Sequence, residues 1–239
     1  MFRDILLNLI FFWPLPVLEP DHNAFRDSLL RQRKSLVRWG DGEVKIILGG
    51  SISYQDYTPE LADSLYRVLT GDNDRVLIAS PNRYVSASVL QLLKKGKLRI
   101  WLRGRTFFIR HRRRLINSVD AFGFRKESQF RYLPLLKELC NRYQRVIFIG
   151  ANLHAAELLR DRLDFRGECE LISTPKKNTF QFLPEIEKKL AAYTGENCLV
   201  LCACGPASKI LVEKLSQDKF QCVDIGHLFD HLAEMPEEF

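Results

Sequence analysis

The sequence predicts an α/β fold of Rossmann-like type, a mostly parallel sheet with helices on both faces. Three observations predict it. Short apolar runs of β type alternate with amphipathic stretches of helical period over most of the chain. Helix starts are marked after such runs, as at Thr58-Pro59-Glu60 and Gly205-Pro206. Hydrophobic residues make up 46% of the 239 residues, enough for a proper core, and no segment is repeated or of low complexity. Alternation at this spacing implies parallel strands joined by crossover helices.

The elements follow in order. Residues 1–20 form an apolar N-terminal segment, and 21–239 read as a single domain. Ile5–Trp13 is too short to span a membrane, which takes about twenty apolar residues, and Pro14 and Pro16 follow it. No small-residue cleavage site follows either, which argues against a signal peptide. The segment reads as a helix packed on the domain, with an interfacial anchor as the alternative. Strands are expected at Leu36–Trp39, Arg75–Ala79, Leu98–Leu102, Arg145–Ile149, Glu170–Ser173, Cys198–Ala203 and Cys222–Ile225. Helices are expected from Thr58 to Leu69, over Val85–Lys95, Asn152–Leu163 and Pro184–Ala192, and from Gly205 to about Ser216. Ligands of such sheets bind at the carboxyl ends of the strands. Asp41, Asn152, Lys177, Gly205 and His227 all fall at or just after such ends.

A net charge of +7 suits acidic partners such as nucleotide diphosphates, nucleic acid or an anionic membrane surface. The six cysteines include no Cys-x-x-Cys pair, and three of them lie in the apolar run CLVLCAC, as buried thiols would. A reducing cytoplasm is the expected compartment, with the inner face of the membrane as a place of association.

The most informative stretch is Arg38-Trp39-Gly40-Asp41-Gly42-Glu43. Two carboxylates two residues apart on a glycine-flanked turn can face one point, and the glycines permit close approach of a ligand. Oxygen-rich sites of this kind suit Mg²⁺ or Mn²⁺, which in turn bind diphosphates. The plainer reading makes Asp41 the cap of a helix over Glu43–Leu48 that Gly49 ends. The two are compatible, because a helix N-terminus also favours anions.

The block continues through Ile46-Ile47-Leu48-Gly49, Ser51-Ile52 and Tyr54-Gln55. Further on stand Pro175-Lys176-Lys177-Asn178-Thr179-Phe180, Gly205-Pro206-Ala207-Ser208-Lys209-Ile210-Leu211 and Val223-Asp224-Ile225-Gly226-His227. In this order the set resembles the motifs of the bacterial glycosyltransferases with the GT-D fold, over about the whole domain. The resemblance implies a metal-dependent transfer of a sugar from a nucleotide-diphosphate donor, a uridine diphosphate sugar first among them. The implied acceptor is a glycan, glycolipid or glycoprotein of the bacterial surface, lipid-linked or free. It implies Asp41, Glu43 and His227 as catalytic residues, with Glu43 the preferred ligand of Mn²⁺ or Mg²⁺ and Asp41 the second. Arg38, Gly40, Gly42, Gln55, Lys177, Asn178, Gly205 and Asp224 would bind the donor. The chain departs from the family in Arg99–Gln144, at Gly150-Ala151-Asn152-Leu153-His154, and at Leu228-Phe229-Asp230-His231. Donor chemistry can therefore be shared while acceptor specificity differs.

Arg99–Arg114 carries seven arginines and no acid. It reads first as a solvated basic helix face. Phe107, Phe108 and Ile109 would give it an apolar side, which suits an anionic membrane surface or a lipid-linked acceptor. Trp101 and the phenylalanines also invite a nucleic-acid reading, supported only by charge. A Rossmann-like enzyme with another nucleotide cofactor is the competing class, but no Gly-x-Gly-x-x-Gly turn follows any strand.

Overall fold

The computed structural model describes residues 21–110, 119–218 and 220–235. Its strands are β1 (Ser35–Arg38), β2 (Val76–Ala79), β3 (Arg145–Gly150), β4 (Glu168–Ser173), β5 (Cys198–Ala203) and β6 (Gln221–Asp224). They form one six-stranded sheet in the order β2-β1-β6-β5-β3-β4, and every pair is parallel. Alternate side chains enter opposite cores, as the pleat requires. Val146, Phe148, Leu199 and Leu201 point one way, and Ile147, Ile149, Val200 and Cys202 the other. Both faces are therefore covered, as continuously apolar strands demand.

The first face carries α1 (His22–Leu30), α7 (Leu133–Cys140), α8 (Ala155–Leu163) and α11 (Leu228–Ala233). The second carries α2 (Asp41–Ile47), α3 (Pro59–Thr70), α5 (Val89–Lys94), α6 (Leu98–Arg110), α9 (Leu183–Leu190) and α10 (Ala207–Gln217). The short α4 (Asn82–Val85) lies between α3 and α5 in the chain. After β3 the chain turns to one face and after β5 to the other, which opens a crevice at the carboxyl edge of neighbouring strands.

At β1 and β6 the backbone ladder is thin, with Leu36 opposite Val223 as the one registered pair. Side chains take over on either side. The Cys222 amide donates to Ser35 Oγ at 2.9 Å, and the Arg38 amide donates to Asp224 Oδ2 at 3.1 Å. At the carboxyl side it is therefore a carboxylate that takes the backbone amide.

Two expectations change. Leu98–Leu102 is not a strand but the first turns of α6. Trp101, Gly104 and Phe108 share one face of that helix, and the face is buried. A side chain at Gly104 would come within 2.8 Å of Val44 Cγ1, so its absence lets α6 lie close against α2. Trp101 stacks on Tyr84 with centroids 4.8 Å apart, and Phe108 meets Trp39 edge to face at 6.2 Å. Helical periodicity therefore overrides the local β preference of Ile100 and Trp101. Phe108 accordingly belongs to the core and not to a membrane-facing side. The side chains of Phe107 and Ile109, residues Arg112–Arg114, and the 1–20 segment lie outside the described residues. The expected helix over Val85–Lys95 begins only at Val89, as α5, because Ser88 caps that start by accepting from the Gln91 amide at 3.2 Å, while Val85 ends the separate α4. Cys198, Cys202 and Cys204 are buried free thiols as expected, Cys140 and Cys222 are buried as well, and Cys169 is half-buried.

Burial of Phe108 has a measurable consequence. Phe108→Ala should lower the unfolding free energy by about 3–5 kcal/mol in urea titrations. A loss below about 1 kcal/mol would put the ring on a solvated face instead.

Candidate functional site

β1 delivers Arg38, Trp39 and Gly40 to the carboxyl edge, where α2 begins. Gly40, not Asp41, is the cap of this helix. Its amide donates to Glu43 Oε2 at 2.8 Å, so Glu43 folds back over its own helix start. Asp41 is thereby released from capping, and its Oδ2 pairs with Lys97 Nζ at 2.7 Å. That hydrogen bond raises the Lys97 pKa, and burial opposes it.

The centre of the site is a lysine that enters from the first turn of α10. Lys209 Nζ lies 2.8 Å from Glu43 Oε1, 2.9 Å from Asp224 Oδ2 and 3.2 Å from the Gly205 carbonyl. All three charged side chains are out of water, with exposures of 5%, 7% and 0% for Lys209, Glu43 and Asp224. Burial pulls the Lys209 pKa down, but Asp224 and Glu43 more than offset this and hold it above the ordinary lysine value. Asp224 also accepts from the amides of Arg38 and Gly226, each at 3.1 Å. One ammonium therefore fastens the loops after β1, β5 and β6 to one another.

Two connected cavities open above this core. The larger holds about 590 Å³ and is walled by Phe148, Asn152, His154, Thr174, Lys176 and Phe229. The smaller, about 60 Å³, is lined by Arg38, Asp41, Glu43, Arg125 and Lys209. Tyr54, Ala203, Gly205, Gly226 and His227 line both, so together they make one groove. Glycine is required at two of these positions. Gly205 has φ of +61°, and a side chain there would meet the Tyr54 ring at 2.9 Å. Gly226 has φ of +53°, and its missing Cβ would lie 1.9 Å from Arg38 Nη2. Burial, then Glu43, raises the Tyr54 pKa and keeps the phenol neutral.

The expected residues divide into two groups. Arg38, Gly40, Asp41, Gly42, Glu43, Gly205 and His227 line the groove, and Asp224 lies buried beneath it. The His227 ring meets Tyr54 edge to face at 5.8 Å, and its Nδ1 is 3.1 Å from Asp230 Oδ2. The hydrogen bond from His227 holds Asp230 below the usual carboxylate range. Gln55 and Asn178 do not wall either cavity. Asn178 Oδ1 accepts from the Asp56 amide at 2.8 Å, its Nδ2 donates to Asp56 Oδ2 at 2.9 Å, and Gln55 Oε1 accepts from the Phe180 amide at 3.4 Å. They clamp the Tyr54 loop to the loop after β4. Lys177 is exposed, and its neighbour Lys176 is the lysine that reaches the cleft wall.

Lys209, Tyr54, Lys97, Arg125 and Asp230 were not among the residues that sequence reasoning selected. Lys209 carried a signal, since it stands three residues before Val212 and seven before Ser216 on the buried stripe of α10. A charge on such a stripe needs a buried partner.

The donor set suits a hard cation only in part. Among the described residues no three His, Cys, Asp or Glu side chains are close enough together to hold an ion by themselves. Glu43 already accepts at both oxygens, while Asp41 faces the groove half exposed. An ion at this position would need oxygens from a bound diphosphate, which is how Mg²⁺ is usually held.

Removing the central ammonium leaves two buried carboxylates unpaired. Lys209→Met should therefore lower stability by about 3–5 kcal/mol in chemical denaturation. A variant within about 1 kcal/mol of wild type would show that the three loops are fastened by something else.

Comparisons with known proteins agree with this geometry. Residues 36–232 match the family described as glycosyltransferase GT-D fold. Glycosyltransferase GlyD of Streptococcus pneumoniae serotype 4 is 27% identical over 214 residues, covering 84% of this chain and 26% of that protein. The probable glycosyl transferase Gly of Streptococcus gordonii is 26% identical over 84% of this chain and 30% of its own length. The chain thus spans less than a third of either relative. Among solved structures, the conserved domain of unknown function 1792, described as a distinct glycosyltransferase fold, superposes with a TM-score of 0.71 at 25% identity. That match covers 97% of this chain and 84% of the other. A glycosyltransferase of the same domain family from Streptococcus sanguinis superposes with a TM-score of 0.68 at 24% identity, covering 88% and 81%. With its motif residues gathered on one sheet edge and the match running through all six strands but the first residue of β1, the chain belongs to the glycosyltransferase family with the GT-D fold.

Proposed function

We propose that the chain moves a sugar from a nucleoside-diphosphate donor, a uridine diphosphate sugar first among them, to a hydroxyl of a glycan or lipid-linked acceptor, assisted by Mg²⁺ or Mn²⁺. The observation that carries this is one continuous groove joining a roomy, partly aromatic cleft to a pocket lined by Arg38, Asp41 and Glu43. The larger cleft has the size and mixed lining of a nucleoside site. The diphosphate would then cross the neck at Gly205 and Gly226, where side chains are absent, within reach of Arg38.

In such a transfer the bond from the anomeric carbon to the diphosphate breaks, a bond to the acceptor oxygen forms, and the acceptor loses its proton. Asp41 and Glu43 would hold the ion together with diphosphate oxygens. When bound, the ion offsets charge growing on the leaving diphosphate. Asp41 is the less encumbered carboxylate, since Glu43 is fastened by Lys209 and by the Gly40 amide. His227 is held at Nδ1 by Asp230, which leaves Nε2 to take the acceptor proton or to donate to a phosphate oxygen.

No described helix is long and apolar enough to cross a membrane. The acceptor in this reading is a surface-polysaccharide or glycoconjugate hydroxyl. Family membership sets aside the other nucleotide-cofactor enzymes and the nucleic-acid binders as leading readings.

Calorimetry with uridine diphosphate tests the proposal. Binding should be markedly tighter with Mn²⁺ or Mg²⁺ than with chelator. Metal-independent binding would remove the ion from the proposal, and no binding in either condition would overturn the donor assignment.

A further inference from the structure

Arg38 and Arg125 both line the smaller pocket, yet they come from unrelated parts of the chain. Arg38 ends β1, within the opening motif. Arg125 lies in the middle segment where the motif resemblance ends, on a stretch fixed to the sheet edge by the paired backbone bonds of Ser80 with Val119 and Ala121. Its own backbone is held as well, through bonds to Phe122, Ser128 and Phe130.

Each guanidinium is backed by an aromatic ring from that same stretch. The Arg38 carbon stands 5.5 Å from the Phe124 centroid, and the Arg125 carbon 4.8 Å from that of Phe122. A guanidinium held by cation–π attraction to a ring keeps its N–H groups for an anion.

Those groups lack acceptors. Arg38 is 8% exposed, and its buried Nε and Nη1 have no hydrogen-bond partner. Buried donors are rarely left so. Neither arginine is within ion-pair distance of a carboxylate among the described residues. The Lys209, Glu43 and Asp224 cluster carries one net negative charge, which offsets one guanidinium and leaves the other without a counterion. Burial lowers the Arg38 pKa, Asp224 opposes this, and the nearby Arg125 lowers it further. An anion between the two arginines would supply the missing counter-charge.

We propose that Arg38 and Arg125 form a phosphoryl-binding subsite in the smaller pocket, with Arg125 as its second arm. At about 60 Å³ the pocket is too small for a nucleoside or a hexose and suits a compact group. The phosphoryl group belongs either to the donor diphosphate or to a phosphate-linked acceptor. Only that choice of carrier rests on the sugar-nucleotide reading above.

Calorimetry with inorganic pyrophosphate and, separately, uridine diphosphate tests this in wild type, Arg125→Gln and Arg125→Lys. Arg125 is half-buried, so melting curves should show all three folded. Arg125→Gln should weaken pyrophosphate about tenfold, the loss expected for one charge-assisted contact, and Arg125→Lys should fall between. An equal loss for uridine diphosphate assigns the subsite to the donor. An unchanged uridine diphosphate affinity beside weakened pyrophosphate assigns it to a second, phosphate-bearing substrate. Pyrophosphate binding that is absent in wild type, or equal in Arg125→Gln, would overturn the subsite. If pyrophosphate binding depends on Arg125 while uridine diphosphate does not bind at all, the donor assignment fails and the subsite stands.

Discussion

The buried ammonium of Lys209 between Glu43 and Asp224 is the constraint on which the site depends. Desolvating three charges is expensive unless each is paired and hydrogen-bonded. In this cluster each charge comes from a different strand or from the helix that follows it. Glu43 is fixed by the Gly40 amide, Asp224 by the Arg38 and Gly226 amides, and Lys209 by the Gly205 carbonyl. The cluster holds the neck of the groove to one shape because moving any one loop would strand a charge.

The sheet creates the place for this cluster. β1 and β6 share little backbone ladder, so the Asp224 carboxylate does the work of a carbonyl for the Arg38 amide. The two glycines above it leave room for the Tyr54 ring and the Arg38 guanidinium. Gln55 and Asn178, which the motifs suggest as donor contacts, instead brace the Tyr54 loop from behind. Some motif residues therefore shape the groove wall without touching its contents.

Much of the fold was legible because β3 and β5 are apolar on both faces, and a strand buried on both sides has no polar alternation to confuse it. α6 was not, since Ile100 and Trp101 look like strand residues until Gly104 is recognised as a contact point and not a break. At the site, the acids of Arg38 to Glu43 could be read from their glycine-flanked turn after a strand, and Asp224 to His227 from the motif resemblance. Lys209 and Arg125 could not be read so easily. A lysine in the first turn of a helix looks like a surface charge, and its partners lie on distant strands. Arg125 sits in an arginine-rich region where no local pattern separates one guanidinium from the next.

The most direct measurement is an amide NMR map of the isotope-labelled protein titrated with uridine diphosphate and Mg²⁺. A separate cavity of about 530 Å³ lies at the opposite, amino edge of the sheet, beside Arg33, Gly195, Asn197 and Phe220. Shifts should concentrate at Gly40, Asn152, Gly205 and Gly226, with Gly195 and Asn197 unmoved. Shifts confined to Gly195, Asn197 and their neighbours would contradict both the carboxyl-edge site and the part the Lys209 cluster plays in shaping it.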